Sequence, residues 1–403
     1  MHNKKNILRP HYYGRIEPFL GKDLIKVITG QRRVGKSFFL KQLRDRVTKQ
    51  TDHITSVYVD KEDPEFEWLK TGADLIDYVK KRRRKGYKTA LFIDEVQEID
   101  QFEKALRGLL STSNTDIYCT GSNSRMLSGE LATLLSGRYI EIRMHSLSYA
   151  EFLMFHDLSD SRETFFRYVR QGGMPFTIHL PDQDEVVLEY LKSVFSTIVV
   201  RDIINRYGTR NIQFLERLML FIADNLGSII SARKISEYLK SQQIRMSAQI
   251  VLDYLSHAES AMIIHKARRF DVEGKRIFEI GEKYFFEDLG LRHAVMKFQP
   301  KDLGKILENL VYRHLILYGY EVFIGRVGQE EIDFVARKRD SMLYFQVAWQ
   351  LASEETWNRE YRSLLRVNDN FAKYLITAEA MPGTGDYMGI EHLSIRELLL
   401  RDW

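Results

Sequence analysis

The chain has 403 residues, 44% apolar and 29% charged, with a single cysteine and a formal net charge of +5. That length exceeds what one hydrophobic core usually organises and points to several domains of an ordinary globular protein. One cysteine excludes an internal disulfide, and no stretch approaches the roughly eighteen apolar residues of a membrane span, so no membrane partner is expected.

The N-terminus is basic, but Arg9, His11 and Arg15 interrupt any apolar run. No signal peptide is expected, and with the lone cysteine this fits a cytoplasmic location. The segment Leu24-Ile25-Lys26-Val27-Ile28-Thr29 reads as a short buried strand. It enters Gly30-Gln31-Arg32-Arg33-Val34-Gly35-Lys36-Ser37, after which Phe38, Phe39, Leu40, Leu43 and Val47 recur at helical spacing. Strand, glycine-bounded loop, Lys-Ser and helix together make a P-loop. Gly30 and Gly35 allow a close approach that a side chain would block. The loop N–H groups, through Phe38, would then turn toward phosphates, aided by the positive end of the helix dipole. Lys36 would reach the β- and γ-phosphates and Ser37 would ligate Mg²⁺, so the expected ligands are ATP and Mg²⁺.

The run Lys80-Lys81-Arg82-Arg83-Arg84-Lys85 suits a solvated helix end, with a nucleic-acid contact as the alternative. Thr89-Ala90-Leu91-Phe92-Ile93-Asp94-Glu95 reads as a buried parallel strand with carboxylates at its C-terminal edge, the edge where ligands bind in open α/β sheets. Asp94 would hold the Mg²⁺ shell and Glu95 would orient or activate the attacking water. A third strand, Asp116 to Thr120, contains Cys119, which is expected to be a small core residue rather than a nucleophile. It runs into Gly121-Ser122-Asn123-Ser124. Asn123 is the first choice for sensing the γ-phosphate and Ser122 the second, and a plain turn is the alternative for either.

These segments resemble the AAA superfamily of ATPases, with the P-loop as Walker A and the Asp-Glu strand as Walker B. The closer resemblance is to a prokaryotic branch, carried by Phe92 to Gln97, Thr120 to Leu127, Leu135 to Tyr139, Gly172-Gly173-Met174-Pro175 and Ile198 to Ile203. The resemblance implies that Arg138 answers the γ-phosphate, as a finger across a subunit interface in a homo-oligomer. The alternative is a structural arginine paired with Glu141. Arg201 and Arg125 are weaker candidates.

The expected fold class is α/β in four parts: a P-loop AAA-type domain (1–146), a helical lid (147–215), a winged helix-turn-helix (216–280) and a nuclease-like α/β domain (281–403). Three short helices would be followed by a hairpin, with Ile263 to Arg269 and Arg276 to Ile280 as its strands. Arg245, Ser247 and Gln249 would face a groove of double-stranded DNA, with Arg268, Arg269, Lys275 and Arg276 on the wing. In the last part, helix and strand order resembles the restriction-endonuclease-like nucleases. That resemblance asks for a helix acid, a strand Asp and Glu-x-Lys on the next strand. Glu308 and Asp333 match, whereas Gln346 and Ala348 do not, so the domain is expected to be nuclease-like but inactive. Three functional readings follow: a DNA-associated motor or switch, a regulatory ATPase acting on a protein, and, least favoured, an ATP-gated nuclease.

Overall fold

The continuous apolar runs near the N-terminus become strands of one parallel sheet. The computed structural model describes residues 7–50, 52–112, 114–123, 137–208, 211–351, 353–379 and 386–403. The chain divides into two compact units, Met1–His145 with Ser260–Met262 and Ser146–Glu259 with Ile263–Trp403.

In the first unit, Ile25–Gly30 (β1), Ile54–Asp60 (β2), Lys88–Asp94 (β3), Thr115–Gly121 (β4) and Tyr139–Met144 (β5) form a sheet in the order β2-β3-β4-β1-β5. Every pairing is parallel. Parallel strands are covered on both faces, which is why β1 and β4 are buried along their whole length and are mostly apolar. Lys36–Gln50 (α2) follows β1, Gly72–Arg82 (α3) lies between β2 and β3, and Phe102–Thr112 (α4) between β3 and β4. One core joins Val27, Val57, Ile93 and Cys119 of the sheet to Leu75, Val79, Leu106 and Leu109 of the helices. Burial pushes the Cys119 thiol up to about 12, so it is inert packing. The run at 80–85 is an exposed helix end, and Lys80, Lys81 and Arg82 in the last turn of α3 suit the negative end of its dipole.

The register fixes which residues share an edge. Thr29 pairs with Gly121 and Ile93 with Cys119, so the residues after β1, β3 and β4 leave the sheet side by side at its C-terminal edge. The buried Lys26 ties β1 to β4 through Asp116 at 2.5 Å. That carboxylate also accepts bonds from Tyr118 Oη and the Gly21 N–H.

The second unit opens with the helices expected of the lid segment: Tyr149–His156 (α5), Arg162–Gln171 (α6) and Asp184–Thr197 (α7), which continues as wide π turns over Ile198–Asn205. The break at Gly172-Gly173 has a steric cause. A Cβ on Gly173 would sit 2.3 Å from the Leu147 carbonyl oxygen, and the Gly173 N–H donates to Asp288 at 2.7 Å. Three further helices follow, Ile212–Asp224 (α8), Ala232–Ser241 (α9) and Ala248–Ser260 (α10).

Ile264–Asp271 (β6) and Arg276–Phe286 (β7) form the expected hairpin, but they do not stand free. The remaining elements are Leu289–Val295 (α11), Leu303–Leu317 (α12), Glu321–Val327 (β8), Glu330–Lys338 (β9), Ser341–Val347 (β10), Glu354–Leu365 (α13), Lys373–Thr377 (β11), Asp386–Tyr387 (β12), Ile390–Ser394 (β13) and Ile395–Leu400 (α14). One eight-stranded sheet runs β12-β13-β11-β10-β9-β8-β6-β7. The hairpin is thus part of the C-terminal sheet, with β6 parallel to β8 through Arg269 and Ile324. The expected strand end at 280 moves to Phe286 because Gly281 takes φ +86° within the strand, and buried Tyr284, Phe285 and Phe286 carry the strand on. Strands β8, β9 and β10 are an antiparallel meander, and β11 returns parallel to β10 after α13. No helix among the described residues is long and apolar enough to cross a membrane.

Candidate functional site

The loop Gly30–Ser37 leaves β1 at the C-terminal edge of the first sheet. Gly30 has no room for a side chain, since a Cβ there would lie 2.3 Å from the Met144 carbonyl oxygen on β5. Gly35 takes φ +100° and Arg33 φ +72°, so the loop turns through backbone angles that point successive N–H groups inward. Val34 is fully buried and offers the site only its backbone. Its carbonyl accepts a 3.0 Å bond from Arg9, which also donates to the His145 carbonyl at 2.9 Å. Arg9 is buried just before Pro10–Ile16 (α1), and it braces the loop from the far side. In the sequence this arginine shows only as an interruption of any apolar run. Arg32 leans outward to Glu62 at 2.8 Å, and Phe38 at the start of α2 is 55% exposed.

Lys36 is 4% exposed, and its ammonium donates to the Gln31 carbonyl at 3.1 Å and stands 3.7 Å from Glu95 Oε1. The Gln31 side chain is itself buried, with neither amide atom bonded among the described residues. A buried amide left unsatisfied at a phosphate loop is a group awaiting a ligand. The loop residues therefore fit a nucleotide phosphate chain.

Asp94 and Glu95 come off β3 beside this loop. Burial raises the Asp94 pKa, opposed by hydrogen bonds from Thr120 and Ser37. Ser37 and Asp94 are thereby brought together, as a shared Mg²⁺ shell requires. For Glu95, burial alone would raise the pKa. Lys36, the Gln97 amide, Arg32 and Ser122 outweigh it, and the carboxyl is held below its ordinary range as a carboxylate. Thr120 binds both acids: its hydroxyl donates to Asp94, and it accepts the Glu95 N–H at 2.9 Å. Ser122 is close to Glu95 without completing a hydrogen bond, and Asn123 is buried next to it past β4. Both follow directly on β4, the strand that lies between β1 and β3. Thr120 and Gln97 lie inside motifs of the sequence, but nothing along the chain marks either as a partner of the two acids. No periodicity or spacing singles out a hydroxyl that bridges two neighbouring carboxylates.

Arg138 lies elsewhere. Its carbonyl accepts from Ile25 N–H at 2.9 Å, at the start of β1, whereas the loop follows the end of β1. At about 3.3 Å per residue the two edges are some 17 Å apart, out of reach of this chain's own phosphates. Arg138 is exposed, and the Glu141 expected as its structural partner accepts instead from Thr29 at 2.5 Å. Arg125 lies outside the described residues, and Arg201 is exposed in the π segment of the second unit.

The second unit holds its own ionic cluster. Glu308 from α12 and Asp333 from β9 are brought together, as expected, but around a residue that was not expected. Lys283 of β7 places its ammonium 2.8 Å from Glu331, 3.3 Å from Glu308 and 3.8 Å from Asp333. Gln346 of β10 accepts from Asp333 N–H at 3.3 Å and donates to Glu360 of α13 at 2.8 Å. Burial raises the Glu308 pKa, and burial together with Glu308 raises Asp333 well above the usual carboxylate range, each opposed by Lys283. The cation of this cluster comes from Lys283 on β7, a strand that straddles the expected boundary at 280/281 and lies far from Ala348 in the chain, so no local motif announces it.

Set beside known proteins, residues 22–153 match an AAA domain family, and residues 162–302 match a domain of unknown function, DUF8612. An uncharacterized protein of Haemophilus influenzae is 37% identical over 99% of this chain and 100% of its own length. One of Methanocaldococcus jannaschii is 29% identical over 86% of this chain and 79% of its own. Among solved structures, the Walker-type ATPase PABY2304 of Pyrococcus abyssi aligns with a TM-score of 0.50 at 13% identity, over 72% of this chain and 97% of that one. That likeness concerns the fold.

Proposed function

The chain belongs to the same protein family as its Haemophilus influenzae relative and is an ATP-binding AAA-type ATPase, and from that premise we propose a division of labour among its residues and a partner. Lys36 and the loop N–H groups hold the phosphates, Ser37 and Asp94 carry the Mg²⁺ shell, and Glu95 directs the attacking water. Asn123, with Ser122 beside it, reads the γ-phosphate. Mg²⁺, when bound, offsets the charge that builds on the phosphates. What carries this reading is the convergence of Lys36, Ser37, Asp94 and Glu95 at one edge of the sheet, beside a buried and unsatisfied Gln31. Arg138, out of reach of its own site, serves the site of a second copy in a homo-oligomer.

The partner we propose is double-stranded DNA, making the chain a DNA-associated switch or motor. Arg245, Ser247 and Gln249 are exposed at the start of α10, and Lys275 is exposed at the hairpin turn. A second reading, a protein partner, is favoured by the state of the other wing cations. Arg276 bonds Asp271 at 3.3 Å, Arg268 faces Glu321 at 3.9 Å, and Arg269 lies over the Phe278 ring at 5.2 Å. The C-terminal segment is proposed to be nuclease-like in its helix, three-strand, helix, strand order, yet not to cut, since Gln346 and Ala348 stand where an acid and a lysine are asked for.

Steady-state ATP hydrolysis with and without double-stranded DNA, at two salt concentrations, separates the readings. Stimulation by DNA that fades at high salt and is lost in Arg245→Ala is expected for the DNA switch. Turnover indifferent to DNA moves the assignment to a protein partner. Metal-dependent plasmid cutting that disappears in Asp333→Ala would overturn the inactive-nuclease reading.

A further inference from the structure

The site described so far ends at Glu95, but the geometry points to a residue beyond it: we propose that Gln97 is a positioning residue that ties Oε2 of Glu95 and reserves Oε1 for the attacking water. This rests on the assignment of Glu95 as the water-directing group.

Glu95 closes β3 in the left-handed region, at φ +52°, and precedes a single 3₁₀ turn, Val96–Glu98. A glutamate has no intrinsic preference for that region, so the surroundings hold it there. The holding contact is the Glu95 N–H bond to Thr120. The turn then folds Gln97 back over the residue it has just left, and its Nε2 donates to Glu95 Oε2. An ionised carboxylate can only accept, so the amide must present its nitrogen. The other end of the amide, Gln97 Oε1, is buried and unbonded among the described residues. An amide that leaves a buried carbonyl unsatisfied is poorly explained as packing, because that costs stability. Its made bond is the one to Glu95.

The two oxygens of Glu95 are therefore unequal. Oε2 has a hydrogen bond from a neighbour on its own turn. Oε1 has Lys36 at 3.7 Å, beyond hydrogen-bond reach. Lys36 is also the group that turns to the phosphates when nucleotide binds. Oε1 then loses its partner while Oε2 keeps Gln97. During hydrolysis a water oxygen bonds to the γ-phosphorus and the bond to the bridging oxygen of ADP breaks. The water's proton leaves toward Oε1 and ends on the released phosphate. Gln97 touches neither water nor phosphate; it fixes the carboxylate plane about the contact at Oε2, so that Oε1 lies where the water arrives.

The test is ATP turnover and calorimetric Mg·ADP binding on the full chain for wild type, Glu95→Gln, Gln97→Met and the double variant. Methionine keeps the length of the side chain and removes the donor. Gln97→Met is expected to lower kcat about tenfold, with KM for ATP and Mg·ADP affinity within about twofold of wild type. In the Glu95→Gln background it should add nothing, because it acts through Glu95. An unchanged or raised kcat, a matching loss of ADP affinity, or a further tenfold loss on top of Glu95→Gln would overturn the proposal. Gln97→Ala is measured in parallel, and failure of both variants to fold would make Gln97 structural and overturn it as well. If Glu95→Gln itself turns over normally, the assignment of Glu95 fails. If only Gln97→Met does, the positioning role fails alone.

Discussion

Lys36 of the first unit and Lys283 of the second are equally buried, at 4% exposure, and each has carboxylate oxygen within 4 Å. Their partners differ. Lys36 donates to one loop carbonyl and keeps Glu95 at 3.7 Å, with the unsatisfied side chain of Gln31 in the same loop. Lys283 lies within 3.8 Å of three carboxylates, the nearest at 2.8 Å, and the Gln346 amide beside them bonds on both sides. Burial is thus a poor guide to function by itself. A buried lysine whose charge is loosely answered is ready for an anionic ligand, and one already enclosed by carboxylates is a structural counter-ion.

Exchanging each lysine for methionine should give the largest and most unlike effects. Lys36→Met should lose ATP binding in calorimetry, at least a hundredfold in Kd, while the melting temperature moves little. Lys283→Met leaves the buried Asp333 and the half-buried Glu308 without their cation, which costs about 3–5 kcal/mol. That corresponds to a melting temperature lower by on the order of 10 °C, with ATP affinity unchanged. If Lys283→Met melted like wild type, Lys283 would not be the structural counter-ion described. If Lys36→Met kept near-normal affinity, the phosphate role would fail.

A smaller effect separates the carboxylates. Asp94 and Asp333 are both raised chiefly by burial and further by neighbouring carboxylates, but hydrogen bonds from Thr120 and Ser37 oppose the shift at Asp94, whereas Lys283 and the Val347 N–H oppose it at Asp333. A carboxyl whose folded pKa is raised binds more protons folded than unfolded. Its ionisation therefore erodes stability as pH climbs from about 4, where the unfolded group titrates, through the raised folded value. Asp333→Asn keeps an acceptor for the Val347 N–H, now 2.8 Å from Asp333 Oδ2, and removes that penalty. Its melting temperature relative to wild type should rise as pH goes from 5 to 8. A constant difference over that range would mean that the Asp333 pKa is not raised in the fold.

The smallest expected change is at Arg138. Arg138→Ala should leave ATP affinity intact and lower turnover only at protein concentrations where copies associate. An equal loss in dilute and concentrated protein would exclude a role across a subunit interface.

Much of the first unit was legible in the sequence because its chemistry is local. A parallel strand buried on both faces must be an apolar run, and a phosphate loop must have its glycines, lysine and serine consecutively, so β1, the loop and β3 could be read residue by residue. The hairpin after α10 was legible as two strands, but not as the edge of a larger sheet. Strand pairing between Arg269 and Ile324 depends on residues far apart in the chain, and Gly281 resembles a strand end when it is a bend within one.

The nucleotide loop and the paired acids were legible along the chain, and Glu308 and Asp333 could be picked out as a pair of acids on a helix and a strand. Which groups answer them depended on the fold: Arg9 behind the loop, Thr120 between the two acids, Gln97 on one oxygen of Glu95, and Lys283 amid the distant carboxylates. The fold also decided that Arg138 stands at the opposite edge of the sheet from its own loop. The cause is range. Backbone conformation and apolar burial leave a pattern along the chain, whereas the partner of a buried charge is chosen by whichever strand or turn the fold brings within about 3 Å.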